Sequence, residues 1–312
     1  MRIKYVIKKI IPYIYIYRLQ TIWKKIALCI WNDEQYIKRR YKKIVGRNIN
    51  FQNPTTFSEK LQVMKLHNRN PLLTKCTDKL QVREYVISRG LSEILVPIIS
   101  VLDNSSEIDL SILPNEFFLK CNHASGTNLY VKDKTTMKEK QIKKTFKIYM
   151  SRNHYVMERE WNYKNIVPKI IVEKPIKDSK GNLPFDYKFM CFNGIPKIVM
   201  VCTGIINESG SKGNPECNFY DIDFNLLDLR INNNNIKNRT ITKPKNFDKM
   251  VEISRKLSSE FTFCRVDLFS VDNQVFFGEL TFIHGSGLLH FEPREYDYLF
   301  GQWLGTRQGD VQ

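Results

Sequence analysis

Long apolar runs, closely spaced cysteine pairs and a hydrolase triad are all missing from this chain of 312 residues, and each gap removes a class of function. The apolar run Ile10-Ile-Pro-Tyr-Ile-Tyr-Ile-Tyr17 falls far short of the roughly 20 residues that a spanning helix needs, so no membrane crossing is expected. No small-residue cleavage site follows that run, and Arg18, Lys24 and Lys25 come soon after it, which speaks against a signal peptide. Seven cysteines, at 29, 76, 121, 191, 202, 217 and 264, form no Cys-x-x-Cys pair. They give no zinc signature and favour a reducing compartment, hence a cytoplasmic location. There are no internal repeats, and low complexity is confined to residues 232–235, expected as an exposed loop.

Acids are also short. Against 49 Lys and Arg stand 32 Asp and Glu, a net charge of +17, and the imbalance is local. Residues 1–50 hold thirteen Lys/Arg and two acids, a net +11 that leaves +6 for the other 262 residues. The body is therefore only mildly basic. The Lys-, Ile-, Tyr- and Trp-rich stretch over residues 1–31 suits peripheral contact with an anionic membrane, at the inner face of the cell membrane, or packing of a basic helix on the protein's own body. No nucleic-acid motif accompanies the charge, so nucleic acid is not an expected partner.

What the chain does contain is 42% hydrophobic and 12% aromatic residues, enough for a substantial core. Helical spacing predicts a helix over 19–45 that ends near Gly46, a helix from a Ser58 cap to Asn68, and another over 77–90 carrying Asp78 and Lys79. A strand is expected over 95–102, a basic helix over 136–150 and a last clear helix over 247–261. Phe117 to Lys120 and Leu129 to Val131 read as strands around Cys-Asn-His-Ala-Ser-Gly-Thr-Asn, a small-residue loop that lets backbone N–H groups approach phosphate while Lys120 supplies a charge. A buried strand over 168–176 ends in Glu173. Residues 186–202 form a hairpin turning at Asn193-Gly194, with Lys188 on the face of Asp186 and Met190.

The most informative stretch is 263–282, two apolar strands interrupted by Asp267 and Glu279 and joined by a short polar turn. Alternation puts Phe263, Arg265, Asp267 and Phe269 on one side, and Val275, Phe277, Glu279 and Thr281 on one side of the partner strand. A two-residue turn at Asp272-Asn273 would place Asp267 opposite Gly278 and turn Glu279 away. A three-residue loop reaching Gln274 would place Asp267 opposite Glu279, forming a divalent-metal site of hard oxygens with Arg265 as counter-charge. A metal site thus requires that the turn not be the two-residue one; otherwise Arg265 and Asp267 form a plain salt bridge.

Taken in order, these elements resemble the ATP-grasp superfamily, most closely its TupA-like branch, found among bacterial surface-polysaccharide genes. The likeness rests on Asn53-Pro-x-Thr-Phe-x-Glu-Lys60, Thr77-Asp-Lys-x-x-Val-Arg83, Leu119-Lys-x-Asn-His-x-Ser-Gly-Thr127, Asp186-Tyr-Lys188, Lys243-Pro244 and Arg265-Val-Asp-Leu-Phe with Phe277-Gly-Glu-Leu-Thr-Phe282, and covers about residues 35 to 305. It implies an α+β fold, two lobes with ATP between them. The expected divisions are a basic helical segment (1–50), an N-terminal lobe (51–115), a small lobe with the phosphate loop (116–176) and a large lobe with the metal site (177–312).

Carried over, Lys79 and Lys120 would meet ATP phosphates under a loop of Ser125, Gly126 and Thr127, and Glu173 with the backbone of Lys174 to Ile176 would hold adenine and ribose. Asp267 and Glu279 would bind Mg2+, with Lys188 and Arg265 at the transferring phosphate. His123, His284, Ser286 and Arg294 are candidates for the acceptor. One position departs: the superfamily's usual Asn two residues past the second carboxylate is Thr281, a weaker ligand. The implied activity is a carboxylate–amine ligase acting through an acylphosphate, with a glycan or glycan precursor and an amine or amino acid as substrates. Three other readings remain: a glycosyltransferase using Asp221 and Asp223 as a D-x-D site, a kinase phosphorylating a glycan hydroxyl, and a basic, membrane-apposed assembly factor with a degenerate nucleotide fold, which Thr281 favours.

Overall fold

The computed structural model describes residues 13–207, 209–211, 213–232 and 241–305, so residues 1–12 and most of the 232–235 run lie outside the described residues. The helix expected over 19–45 is two helices, α1 (Tyr13–Ile30) and α2 (Asp33–Val45). Asn32 takes an extended backbone and its side chain accepts the Gln35 N–H, an N-cap that starts a new helix. Gly46, at φ 83°, ends α2 in the left-handed region as expected. In α3 (Phe57–His67) the cap is Thr56 and not Ser58, because Thr56 and Glu59 satisfy each other's backbone N–H in a capping box. Ser58 lies inside the first turn and donates to the buried Asp297 carboxylate.

Nor do residues 77–90 form one helix. They divide between α4 (Pro71–Thr77) and α5 (Val82–Ser88), because Asp78 accepts the Leu80 N–H and ends the first helix. Lys79 is therefore in a turn, free to lean towards neighbouring segments.

Strands β1 (Ile98–Leu102), β2 (Phe117–Cys121), β3 (Leu129–Val131) and β4 (Ile170–Glu173) form an antiparallel sheet in the order β1-β4-β2-β3, with α6 (Glu139–Met150) and α7 (His154–Glu158) inserted before the last strand. Phe117, Leu119, Cys121, Ile170 and Val172 pack on Ile142 and Phe146 of α6. The opposite face carries Phe118, Lys120 and Glu173. This sheet moves the expected lobe boundary at 115: β1 pairs with β4, so the small lobe recruits a strand from before that point.

The second sheet contains β5 (Asp186–Phe192), β6 (Ile195–Thr203), β7 (Glu216–Asp221), β9 (Phe263–Val271) and β10 (Gln274–Thr281), ordered β10-β9-β5-β6-β7. Between β7 and β9 come β8 (Arg230–Ile231) and α8 (Phe247–Ser258); β11 (Phe291–Glu292) pairs with β8 ahead of α9 (Glu295–Leu304). Tyr187, Phe189, Val266 and Leu268 face α5 and α8. On the other face Met190, Phe192 and Phe263 pack with Phe57 of α3 and Phe300 of α9. The helices expected to form an N-terminal lobe over 51–115 therefore cover the large sheet and are no separate unit.

Phe57 anchors that packing, with ring centroids 4.9 Å from Phe263, 5.7 Å from Phe192 and 5.8 Å from Phe300. Alternation along β5 gives one face two characters: Met190 and Phe192 enter this apolar cluster, while Asp186 and Lys188 lie at the other end.

Cys202 and Cys217 stand opposite each other on β6 and β7 and are joined by a disulfide. This departs from the reducing-compartment expectation, and its origin is strand register, which cysteine spacing does not reveal. Among the described residues no helix is long and apolar enough to cross a membrane.

Phe57 is fully buried. Phe57→Ala is expected to cost about 3–5 kcal/mol, read as a lowered urea midpoint; a loss under about 1 kcal/mol would show that α3 does not depend on this aromatic cluster.

Candidate active site

The hairpin of β9 and β10 turns on two residues, Asp272 and Asn273, both with positive φ (46° and 65°). That is the turn that should have turned Glu279 away. Register begins as expected, with Gln274 opposite Val271 and Phe277 opposite Leu268, and then shifts, so that Glu279 pairs with Asp267. Gly278 is the extra residue of a β-bulge. A Cβ there would lie 3.0 Å from the Asp267 carbonyl oxygen and 3.2 Å from the Phe269 ring, so glycine permits the close approach. The bulge also divides the set expected on one side: Val275 and Phe277 join the core with Leu280 and Phe282, whereas Glu279 turns to the face of Asp267.

On that face charges interlock. The Arg265 guanidinium donates twice to Asp267, at 2.6 and 2.7 Å, once to Glu279 at 3.1 Å, and makes a 2.8 Å contact with His284 Nδ1. Lys188 Nζ lies 2.5 Å from both Asp186 and Asp267, and Lys79 Nζ lies 3.4 Å from Glu279. Burial would raise the Glu279 carboxyl, but Lys79, Arg265 and Lys188 outweigh it and hold it at about 2. Asp186 goes the other way, pushed up to about 6 because burial exceeds the help from Lys188. Lys188 is buried as well, yet Asp186 and Asp267 raise it and keep it protonated. The His284 imidazole is driven well below its usual value by burial and by Arg265, so it is neutral and accepts at Nδ1.

The small sheet closes the cleft from the other side. Lys120 pairs with Glu173 at 2.7 Å. Lys79 donates to the Ala124 carbonyl, and Asn122 ties the small-residue loop to the Asp78 carboxylate at 3.1 Å. Two adjoining cavities of about 310 and 320 Å³ share Lys120, Asn128, Asp186 and Phe269. One is lined by Val96, Phe118, Ile176 and Leu183 with Glu173 and Lys174. The other holds Lys79, Ser125, Gly126, Lys188, Arg265, Asp267 and Glu279. An apolar chamber thus opens into a charged one.

Other expected site residues have different positions. The His123 ring lies 3.1 Å from the Arg152 carbonyl and is buried. Thr127 is buried, its hydroxyl accepting the Cys121 N–H, so it braces the loop from inside. Ser286 is clamped: its carbonyl accepts from Gln62 and Lys65, and its hydroxyl donates to Glu160 at 2.5 Å. Gly285, Ser286 and Gly287 all have positive φ, and this left-handed turn aims His284 at Arg265. His284 thus meets Arg265, while Ser286 is held by Gln62, Lys65 and Glu160. Arg294 is exposed on the far side of β11, 3.1 Å from the Tyr298 hydroxyl, and lines neither cavity. The Thr281 hydroxyl lies 3.4 Å from Glu279. Asp221 accepts the backbone N–H groups of Asp223 and Asn225, which makes the D-x-D segment a turn at the end of β7.

Asp186 and Asn122 were missed as individual members, although both lie within motifs. The signal for Asp186 was its place two residues before Lys188 on the same strand face.

The family described as TupA-like ATPgrasp matches residues 59–305. Among solved structures the chain is similar to D-alanine–D-alanine ligase from Bacillus anthracis complexed with ATP, at 14% identity and TM-score 0.34, covering 66% of this chain and 53% of that one. It is similar also to D-alanine–D-alanine ligase from Helicobacter pylori (14%, 0.40, 76% and 60%) and to D-alanyl-alanine synthetase A from Vibrio cholerae (12%, 0.38, 76% and 62%). The chain spans about half the length of the first of these, and likeness at this level carries no argument about substrate or activity. No curated protein matches.

Gly278→Ala is expected to cost about 1–3 kcal/mol by forcing the bulge apart, read as a lowered urea midpoint; an unchanged midpoint would show that the bulge is not needed. Glu279 provides a pH test. Its folded value, about 2, is below its ordinary 4.5, so it contributes stability above about 4.5 that is lost as pH falls through about 2. The melting-temperature gap between wild type and Glu279→Gln is expected to be constant at neutral pH and to close over that window; a pH-independent gap would refute the ion-pair account.

Proposed function

Since the chain belongs to the TupA-like ATP-grasp family, matched over residues 59–305, we propose that it is an ATP- and Mg2+-dependent carboxylate–amine ligase. The observation that carries this reading is the placing of Asp267 and Glu279 directly opposite each other in a cleft where Lys79, Lys120, Lys188 and Arg265 converge. The donor set fits magnesium. Its oxygens are hard ligands of the kind this ion prefers. Two carboxylates completed by phosphate and water are the usual holders of this ion. The buried Asp186 Oδ1 lacks a hydrogen-bond partner, which leaves a further acceptor facing the cluster.

Asp267 and Glu279 would hold magnesium, Lys79, Lys120 and the Ser125-Gly126 backbone the phosphates, and the apolar chamber the adenine. The Lys174 N–H is already given to the Pro97 carbonyl, so base recognition falls to the backbone towards Ile176. Bound Mg-ATP supplies an activated phosphoryl group. The chain's own ion pairs mirror such a ligand, with carboxylates ready to exchange cations for metal and cations ready to exchange carboxylates for phosphate. Arg265 and Lys188, kept charged by their acids, would stabilise charge that develops on phosphoryl and acyl oxygens.

In this chemistry a substrate carboxylate attacks the γ-phosphorus with loss of ADP, and an amine then displaces phosphate to leave an amide. No side-chain nucleophile is required, and the buried thiols are poor ones: burial pushes Cys121 and Cys191 up to about 12. A surface glycan or its precursor as the acceptor, and an amino acid or amine as the donor, are part of the proposal on the family resemblance alone. The self-satisfied turn at Asp221 does not favour the sugar-nucleotide reading.

Mg-ATP at about 100 times its dissociation constant is expected to stabilise the protein by about 2.7 kcal/mol, seen as a raised melting temperature, whereas sugar nucleotides have no effect; the reverse pattern overturns the reading. Glu279→Gln is expected to reduce turnover by at least about a hundredfold with the fold retained, and Asp221→Asn to be silent. Product analysis completes the test: ADP, phosphate and an amide are expected, while ADP with a phosphoester would replace the ligase by a kinase.

A further inference from the structure

A surface helix of a folded protein ordinarily turns its apolar stripe inward and its charges to water. Over residues 22–30 helix α1 is arranged the other way round. Ile22, Trp23, Ile26 and Ile30, at i, i+1, i+4 and i+8, share a narrow arc and are 54%, 70%, 44% and 60% exposed. The side facing the body holds the buried Ala27 and, unusually, a lysine. Lys24 Nζ donates to the Met157 carbonyl at 2.6 Å and pairs with Glu158 at 3.1 Å. A half-buried ion pair fastens the helix and leaves the isoleucines and tryptophan outward. Scattered exposed apolar residues are normal, but four on one arc form a patch.

Exposed cations follow that patch along the chain: Lys25 on α1, and Lys38, Arg39, Lys42 and Lys43 on α2, of which Lys38 pairs with Glu34. Thirteen Lys/Arg against two acids occupy residues 1–50. From this pairing of an outward apolar arc with a concentrated positive charge, we propose that α1 docks in the plane of an anionic lipid surface, its isoleucines and Trp23 in the acyl boundary and the lysines and arginines among phosphate headgroups. No described helix is long and apolar enough to cross a membrane. A second copy of the chain suits the arc less well, because it would bring two strongly basic segments together without compensating acids.

The test uses the full chain. Sedimentation with vesicles of phosphatidylcholine containing about 30% phosphatidylglycerol is compared with pure phosphatidylcholine, for wild type and for the double variant Trp23→Glu, Ile26→Glu. Both side chains are exposed, so the variant is expected to melt as wild type does. Wild type is expected to bind the anionic vesicles, and binding to fall about tenfold in the variant, on neutral vesicles and at about 0.5 M salt. As a second readout, wild-type fluorescence should shift to the blue with anionic vesicles, and Trp23→Phe should lose that shift although Trp31, Trp161 and Trp303 remain. Equal binding by wild type and variant overturns the proposal, as does equal binding to neutral vesicles. Absence of vesicle binding together with a wild-type dimer that the double variant breaks in sedimentation velocity assigns the arc to self-association instead.

Discussion

The two-pronged contact between Arg265 and Asp267 is the constraint on which the cleft depends. A guanidinium and a carboxylate are both withdrawn from water there, a costly arrangement unless each hydrogen-bonding direction is used. Arg265 spends its donors on Asp267, Glu279 and His284, and Asp267 also meets Lys188. Removing one partner would strand a buried charge, at a cost of about 3–5 kcal/mol. The cluster's charges are therefore already held at the separation of a protein-internal salt bridge. A ligand carrying both a divalent cation and phosphates can substitute for these internal pairs instead of demanding new desolvation.

Two backbone irregularities maintain that cluster, and both are local departures from regular structure. The bulge at Gly278 shifts the hairpin by one residue and brings Glu279 onto the face of Asp267. The left-handed turn at 285–287, clamped by Gln62, Lys65 and Glu160, holds His284 against Arg265. Strain at such positions persists where the surroundings over-determine it. Lys79 then joins the halves of the cleft, touching the small-residue loop at Ala124 and the acid at Glu279. Its position in a turn follows from Asp78 capping Leu80, so a capping contact far from the hairpin helps to build the site.

The fold was legible wherever the sequence carried a strong local signal. Asn193-Gly194 marked the β5–β6 hairpin, and both residues have the positive φ such a turn requires. Period-two alternation placed Asp186 and Lys188 on the face that the structure turns to the cleft. Acids in apolar strands marked Asp267 and Glu279, since a carboxylate among phenylalanines needs a partner. Weaker local signals misled. The periodicity of residues 19–45 is continuous through Asn32, yet one side-chain cap divides the helix. His123, Ser286 and Arg294 have chemistry suited to an acceptor site, but whether an imidazole or hydroxyl faces a ligand or a neighbouring carbonyl depends on packing from distant segments.

By itself the sequence determined which charges exist and which strand faces they alternate onto. Those properties follow from side-chain period and residue type, which are local. Tertiary structure decided which charges meet. A one-residue change of register turns every later side chain to the opposite face, and the change here depends on a bulge whose cause is the closeness of two strands at Gly278. It likewise decided that Cys202 faces Cys217 and that α1 presents its isoleucines to solvent, because both outcomes depend on neighbours remote in the chain.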